Sequence, residues 1–142
     1  MPTGKRMRTG FKSLITLGST PAISFWEIGV QPPGCDGMDP IDNTTMHNDS
    51  WRTRGPRHLV TLTDSKCKAA YDANLYSSIL ANLNVEQSIT IQFSSGVAIA
   101  FYGFLRLFEP EEMTEDKMPT ANITIVPTNV DPASGLEAPP VI

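Results

Sequence analysis

Hydrophobic positions along the 142-residue chain recur with two different periods, and the switches between them divide it into elements. Residues 13–17 and 22–30 read as strands, separated by Gly18-Ser19-Thr20-Pro21, which has the composition of a turn. In the second strand Trp26, Ile28 and Val30 share one face while Phe25 and Glu27 share the other, so both faces are at least partly covered. From residue 31 to 57 the alternation stops. This stretch is dense in Pro, Gly, Asp, Asn and Thr, with Ile41, Met46 and Trp51 as isolated apolar residues. Connections beyond ~12–15 residues without regular structure are uncommon in compact domains, and are functional or disordered when they occur. A disordered segment would not ordinarily retain a Trp and spaced apolar residues, which predicts a loop that orders on a partner surface.

Strand character returns at residues 58–63 and again at 67–71. Asp72 then stands as an N-cap for a helix over about residues 73–83, because its carboxylate can accept from the free amides of a first turn. Leu75, Ile79 and Leu83 recur at i, i+4 and i+8 with Tyr76 and Leu80 beside them, one stripe facing a core. After Asn84 the period becomes two: Ile89, Ile91 and Phe93 alternate with Ser88, Thr90 and Gln92. Ser94-Ser95-Gly96 turns the chain into residues 97–105, where both faces are apolar, with residues 106–108 as an extension. Residues 109–117 form an acidic excursion, and 121–126 a last strand. The proline-containing remainder predicts an extended, unpacked tail over 130–142. The sum is a mainly β fold, an antiparallel β-sandwich or half-barrel with one flanking α-helix.

Length and composition narrow the class. A single domain of modal size with 40% hydrophobic residues can bury one core. No apolar run approaches the ~20 residues that span a bilayer, and residues 1–12 are a basic, flexible arm without the apolar segment of a leader. A soluble, unprocessed protein is expected. The net charge of −4 hides an asymmetry: residues 1–71 carry 9 basic and 6 acidic groups, residues 72–142 carry 2 and 9. Such a bipolar chain can attract copies of itself if opposite poles meet.

Candidate chemistry is sparse. Asp36, Asp39, Asp42, His47 and Asp49, with His58 nearby, are metal-ligand types, but their spacing matches no EF-hand and Pro40 interrupts it. Loop Asp and Asn residues more often cap turns. No GxSxG, GxGxxG or P-loop is present, two cysteines make no zinc quartet, and Cys67 reads as a small core hydrophobe. Neither a catalytic residue nor a cofactor is assigned. Asn43-Thr44-Thr45 and Asn122-Ile123-Thr124 match the glycosylation triplet, taken as chance without a secretion signal. Arg52, Arg54 and Arg57 beside Trp51 describe a protein-contact anchor better than a phosphate site, since Trp and Arg concentrate at interface hot spots and the overall charge opposes tight nucleic-acid binding.

These segments are similar to those of one family. Trp26-Glu27, Val30-Gln31-Pro32-Pro33-Gly34, Asp36-Gly37, Asp39-Pro40-Ile41-Asp42, Thr44-Thr45-Met46-His47-Asn48, Trp51-Arg52-Thr53 and Pro56-Arg57 resemble the major tail tube proteins of long-tailed double-stranded DNA bacteriophages. The closing run from Ala121 to Asn129 also resembles their last strand, while Cys35 and Met38 are less typical. The resemblance implies a tube-forming β domain over 13–129, similar to the type VI secretion tube protein. It implies homo-hexameric rings stacked into a DNA conduit, residing in the virion tail after assembly in the host cytoplasm. Tape measure, tail terminator and tail tip proteins would be partners, and DNA would pass without tight binding.

On that resemblance, the loop 31–57 supplies inter-subunit contacts through Asp36, Asp39, Asp42, Met46, His47, Trp51, Arg52, Arg54 and Arg57. Glu109, Glu111, Glu112, Glu115 and Asp116 would be lumen or connector acids. The alternatives are another virion β-sandwich, such as a head–tail connector or decoration protein, and a carbohydrate- or metal-binding module.

Overall fold

The structure, a computed structural model, describes residues 14–18, 23–24, 26–71, 73–93 and 96–142. The predicted arm over 1–12, the Asp72 cap and Ser94-Ser95 of the predicted turn lie outside these residues.

The strands are β1 Leu14–Leu17, β2 Ile23–Ser24, β3 Trp26–Gln31, β4 Cys35–Asp36, β5 Ile41–Asp42, β6 Arg54–Gly55, β7 Thr61–Leu62, β8 Ser65–Ala70, β9 Gln87–Gln92, β10 Ala98–Pro110 and β11 Thr120–Pro127. The helix α1 spans Ala73–Asn82. Seven of these strands form one antiparallel sheet in the order β2-β1-β9-β10-β11-β8-β3. The first and last members are separated in the chain by residue 25 alone. One stretch of backbone therefore pairs with β1 at its start and with β8 along its length, and it draws the two edges of the sheet together. The Glu27 carboxylate accepts the Ile15 backbone N–H at 2.8 Å across this seam. The fold is the antiparallel half-barrel expected, with its ends bridged.

Period-two alternation fills the interior. Ile15 and Leu17, Cys67 and Ala69, Ile89 and Ile91, Ile99 and Phe101, and Ile123 and Ile125 point inward from five successive strands. Burying each Ile, Leu or Phe among them contributes ~1.5–3 kcal/mol, and Cys67 and Ala69 less, so the interior dominates the stability of the domain. Ser65, buried at the mouth of the arm, has its hydroxyl satisfied by the Gln31 carbonyl at 2.7 Å. Burial pushes the Cys67 thiol up to about 12, and the charge of Glu27 adds to the shift. Gly103 is required by packing: a Cβ there would stand 2.6 Å from the Val126 carbonyl oxygen.

The second half of β10 departs from simple alternation. Leu105 pairs with Ile125 but Leu107 pairs with Thr124, so Arg106 is an inserted residue that reverses the facing of all that follow. Phe108 now faces the core, and Leu107, which unbroken alternation would bury with Leu105, is turned out. Here β9 has ended, and the chain leaving α1 takes its place: Leu83 bridges Leu105, and the Asn84 N–H donates to the Leu105 carbonyl at 3.0 Å. Asn84 turns there with φ 60°, a conformation Asn tolerates better than most residues.

The C-terminal residues differ from the unpacked tail the prolines predict. Thr128 continues the β11 ladder by donating to the Tyr102 carbonyl at 2.9 Å, and the chain then loops out. It returns so that Ala100 and Val141 exchange two backbone hydrogen bonds of 2.8 Å. The tail is neither extended throughout nor unpacked: it turns at Asp131–Gly135, Val130 bridges Glu137, and Val141 then completes a ladder position beside β10 that β11 leaves empty.

Candidate functional site

The segment expected as an irregular loop is a projecting antiparallel arm. Cys35 and Asp36 pair with Leu62 and Thr61, and Ile41 and Asp42 pair with Gly55 and Arg54. Side chains supply what the short ladders lack. Thr63 holds the base, its N–H donating to the Gly34 carbonyl and its hydroxyl accepting the Gly34 N–H, both at 2.8 Å. Midway, Arg57 donates from Nε to the Asp39 carbonyl at 2.7 Å. Near the tip, Thr44 and Thr53 bond reciprocally through the Thr44 hydroxyl. At ~3.3 Å per extended residue the arm reaches at most about 33 Å between Gly34 and Thr44.

A polar turn closes the tip. Asn48 accepts the Thr45 N–H at 3.1 Å and donates to the Trp51 carbonyl at 2.7 Å, which fixes the backbone on both sides of the turn. Those bonds leave the apolar side chains outside: Met46 is fully exposed and Trp51 is 83% exposed. Lower down, Met38, Ile41, Leu59 and Val60 are exposed as well. The charged residues behave differently. Asp36 accepts the Met38 N–H, and Asp42 accepts the Thr44 N–H and pairs with Arg52 at 3.3 Å. Hydrogen bonds from Thr44, then Arg52 and the charge of Arg54, hold the Asp42 carboxyl below the usual carboxylate range. Asp36 and Asp42 thus act as local caps at separate points along the arm. Among the described residues no group of three or more His, Cys, Asp or Glu is placed to hold a metal ion.

The predicted acids divide. Glu109 lies within β10, one strand residue before its end. Glu111 sits on the outer face of the sheet, where it accepts from the Thr120 hydroxyl at 2.8 Å and Asn122 at 3.1 Å and pairs with Lys68 at 3.2 Å. Thr120, then Lys68 and Asn122, hold its carboxyl below the usual range. Glu112, Glu115 and Asp116 are exposed on the connection between β10 and β11.

Sequence reasoning missed a second surface. Tyr76 and Leu80 on α1 and Leu83 just beyond it face Arg106 and Leu107 across a groove of about 160 Å³, with Ile79 and Phe108 at its floor. Tyr71, Tyr76 and Phe108 stack edge-to-face with centroids 5.4–6.4 Å apart, which stiffens one wall. The groove exists because of the inserted Arg106, and no sequence period announces such an insertion.

No family model and no curated protein matches the sequence. Solved structures do match in fold. A chain of the virion of a native gene transfer agent particle aligns with a TM-score of 0.66 at 8% identity, over 86% of this chain and 95% of that one. A chain from the tail of an empty gene transfer agent particle, refined helically with C6 symmetry, gives 0.64 at 7% identity, over 86% and 95%. One from the six-fold symmetrised baseplate of the anti-feeding prophage gives 0.62 at 6% identity, over 90% and 94%. At these identities the shared property is the fold, and it is shared along nearly the whole of each chain.

Proposed function

We propose that this chain is a non-enzymatic structural subunit of a phage-type tail, assembling into six-membered rings that stack into a tube for DNA passage. The observation that carries the proposal is the arm: a bonded lever whose large apolar side chains at the tip, Met46 and Trp51, stand in water. Its framework hydrogen bonds are already made within the subunit, so its surplus binding capacity is hydrophobic and calls for a partner. The six-fold symmetry of particles containing chains of the same fold supports a ring of copies as that partner.

In this proposal Met46 and Trp51 anchor the contact, while Asp39, His47, Arg54 and the Asp42–Arg52 pair form its polar rim. Asp36 and Arg57 hold the arm's shape. Glu112, Glu115 and Asp116 would keep a DNA-facing surface from adhering to phosphates. Glu111, paired with Lys68, contributes less to that field. Tape measure, terminator and tip proteins would meet the tube at its lumen and ends, in the virion tail, after assembly in the host cytoplasm.

Negative-stain imaging of the purified chain across a concentration series tests this. Hollow rings that stack into tubes are expected. Single rings that never stack would indicate a connector instead, and a monomer at every concentration would overturn the proposal. Trp51→Ala should leave the melting temperature of the subunit unchanged and abolish tubes.

A further inference from the structure

We infer that the tip of the arm docks in the groove between α1 and the end of β10 on a second copy of this chain. The inference rests on the ring-and-tube proposal and names the surface that receives the arm.

Each surface has what the other lacks. Trp51 and Met46 are exposed at the tip, and Leu80, 67% exposed, and Leu107 stand exposed along the groove. Within one subunit the two surfaces leave each other uncovered. The groove volume of about 160 Å³ is close to that of apolar cavities which take up a benzene ring, of ~150 Å³. An indole entering it would bury one ring and lean the other on Leu80. The stacked Tyr71, Tyr76 and Phe108 keep the wall in place before binding, so little ordering is required of the receiving subunit.

Charge agrees with shape. Asp49 lies two residues from Trp51 at the tip, and Arg106 lies at the groove. Among the described residues neither has an ion-pair partner within the subunit. Docking Trp51 would bring the acid toward the guanidinium, which also suits the face of an aromatic ring. A patch complementary to a pocket elsewhere on the same molecule makes a head-to-tail contact, and such contacts repeat from copy to copy instead of ending at a dimer.

The test uses the full chain with Leu80→Asp, Arg106→Glu, Asp49→Arg and the Asp49→Arg/Arg106→Glu pair, each checked for an unchanged melt. Leu80→Asp and either single charge reversal should raise the concentration needed for assembly by about tenfold or more, the scale of one interface hot spot. The double reversal should recover most of that loss. Disulfide trapping gives an independent readout: in a Cys35→Ser background, preparations carrying Asp49→Cys and Arg106→Cys should form a mixed disulfide between chains when assembled together. If the parent assembles and Leu80→Asp assembles equally well, or no mixed disulfide forms, the docking inference falls and the tube proposal stands. If the parent never assembles, both fall.

Discussion

The barrel interior and the arm are built from the same backbone pairing, yet opposite parts of the chemistry hold them. Inside, Ile15, Ile91, Leu105 and Ile125 exclude water, and hydrogen bonds mostly complete the ladders. In the arm almost no side chain is buried, and threonine, asparagine and aspartate side chains bond the backbone directly. The difference teaches where each region's stability comes from. The interior is stabilised by area removed from water and is complete within one subunit. The arm keeps a shape without a core, and its apolar side chains remain available.

Four experiments bear on this contrast, beginning with the widest expected difference. Cys35 lies exposed in the arm and Cys67 is buried in the barrel with its thiol raised to about 12. Thiol labelling at pH 8 should modify one group at once and the second slower by on the order of 10³-fold or more, at a rate set by opening of the barrel. Equal rates would mean that β8 is not packed as described. Next, Leu105→Ala should destabilise the subunit by about 2–5 kcal/mol in urea unfolding, because the inward side chain leaves a cavity. Trp51→Ala should change the same measurement by less than ~0.5 kcal/mol. A comparable loss from both would place the arm within the cooperative core.

Gly103→Ala forces a methyl against the Val126 carbonyl and should cost about 1–3 kcal/mol. A neutral result would show that β10 and β11 separate there easily. The smallest effect concerns Glu111, whose carboxyl is lowered by Thr120 and then by Lys68. A group with a pKa lowered on folding stabilises the native state above its unfolded pKa, and that contribution disappears as the pH falls through the folded value. Glu111→Gln should therefore be slightly less stable than the parent at neutral pH, with the gap closing below about pH 4.5. Because the pair is exposed, the gap should also shrink in high salt.

How much of this could be read beforehand follows from how local each signal is. The alternation of Ile89, Ile91 and Phe93, the Gly96 turn with φ 91°, and the helical spacing of Ile79 in α1 and Leu83 just past its end are carried by neighbouring residues, and the elements fall where those residues place them. The spaced Ile41, Met46 and Trp51 marked 31–57 as a loop that would order on a partner, whereas the arm already holds its shape through bonds within the subunit. Its ladders were not legible, because two-residue strands such as β4 and β7 carry no period, and side chains from both sides of the hairpin supply the bonding. The groove depended on a single inserted residue, Arg106, and the return of Val141 to Ala100 on a partner far away in sequence. Neither leaves a trace in local composition.

The bridged seam also has a bearing on how the chain is made. Thr16 pairs with Thr90, and β9 lies beyond the arm and α1. At synthesis rates of roughly 5–20 residues per second, β1 waits seconds for the strand it must join, while β3 and β8 pair earlier around the arm. Contacts so distant in sequence also carry a high loop-closure cost, which favours their forming late. The first described strand to be synthesised is then among the last to be seated, and an interrupted chain cannot hold β1 in place. A truncated product lacking β9 would carry the arm without a finished barrel behind it.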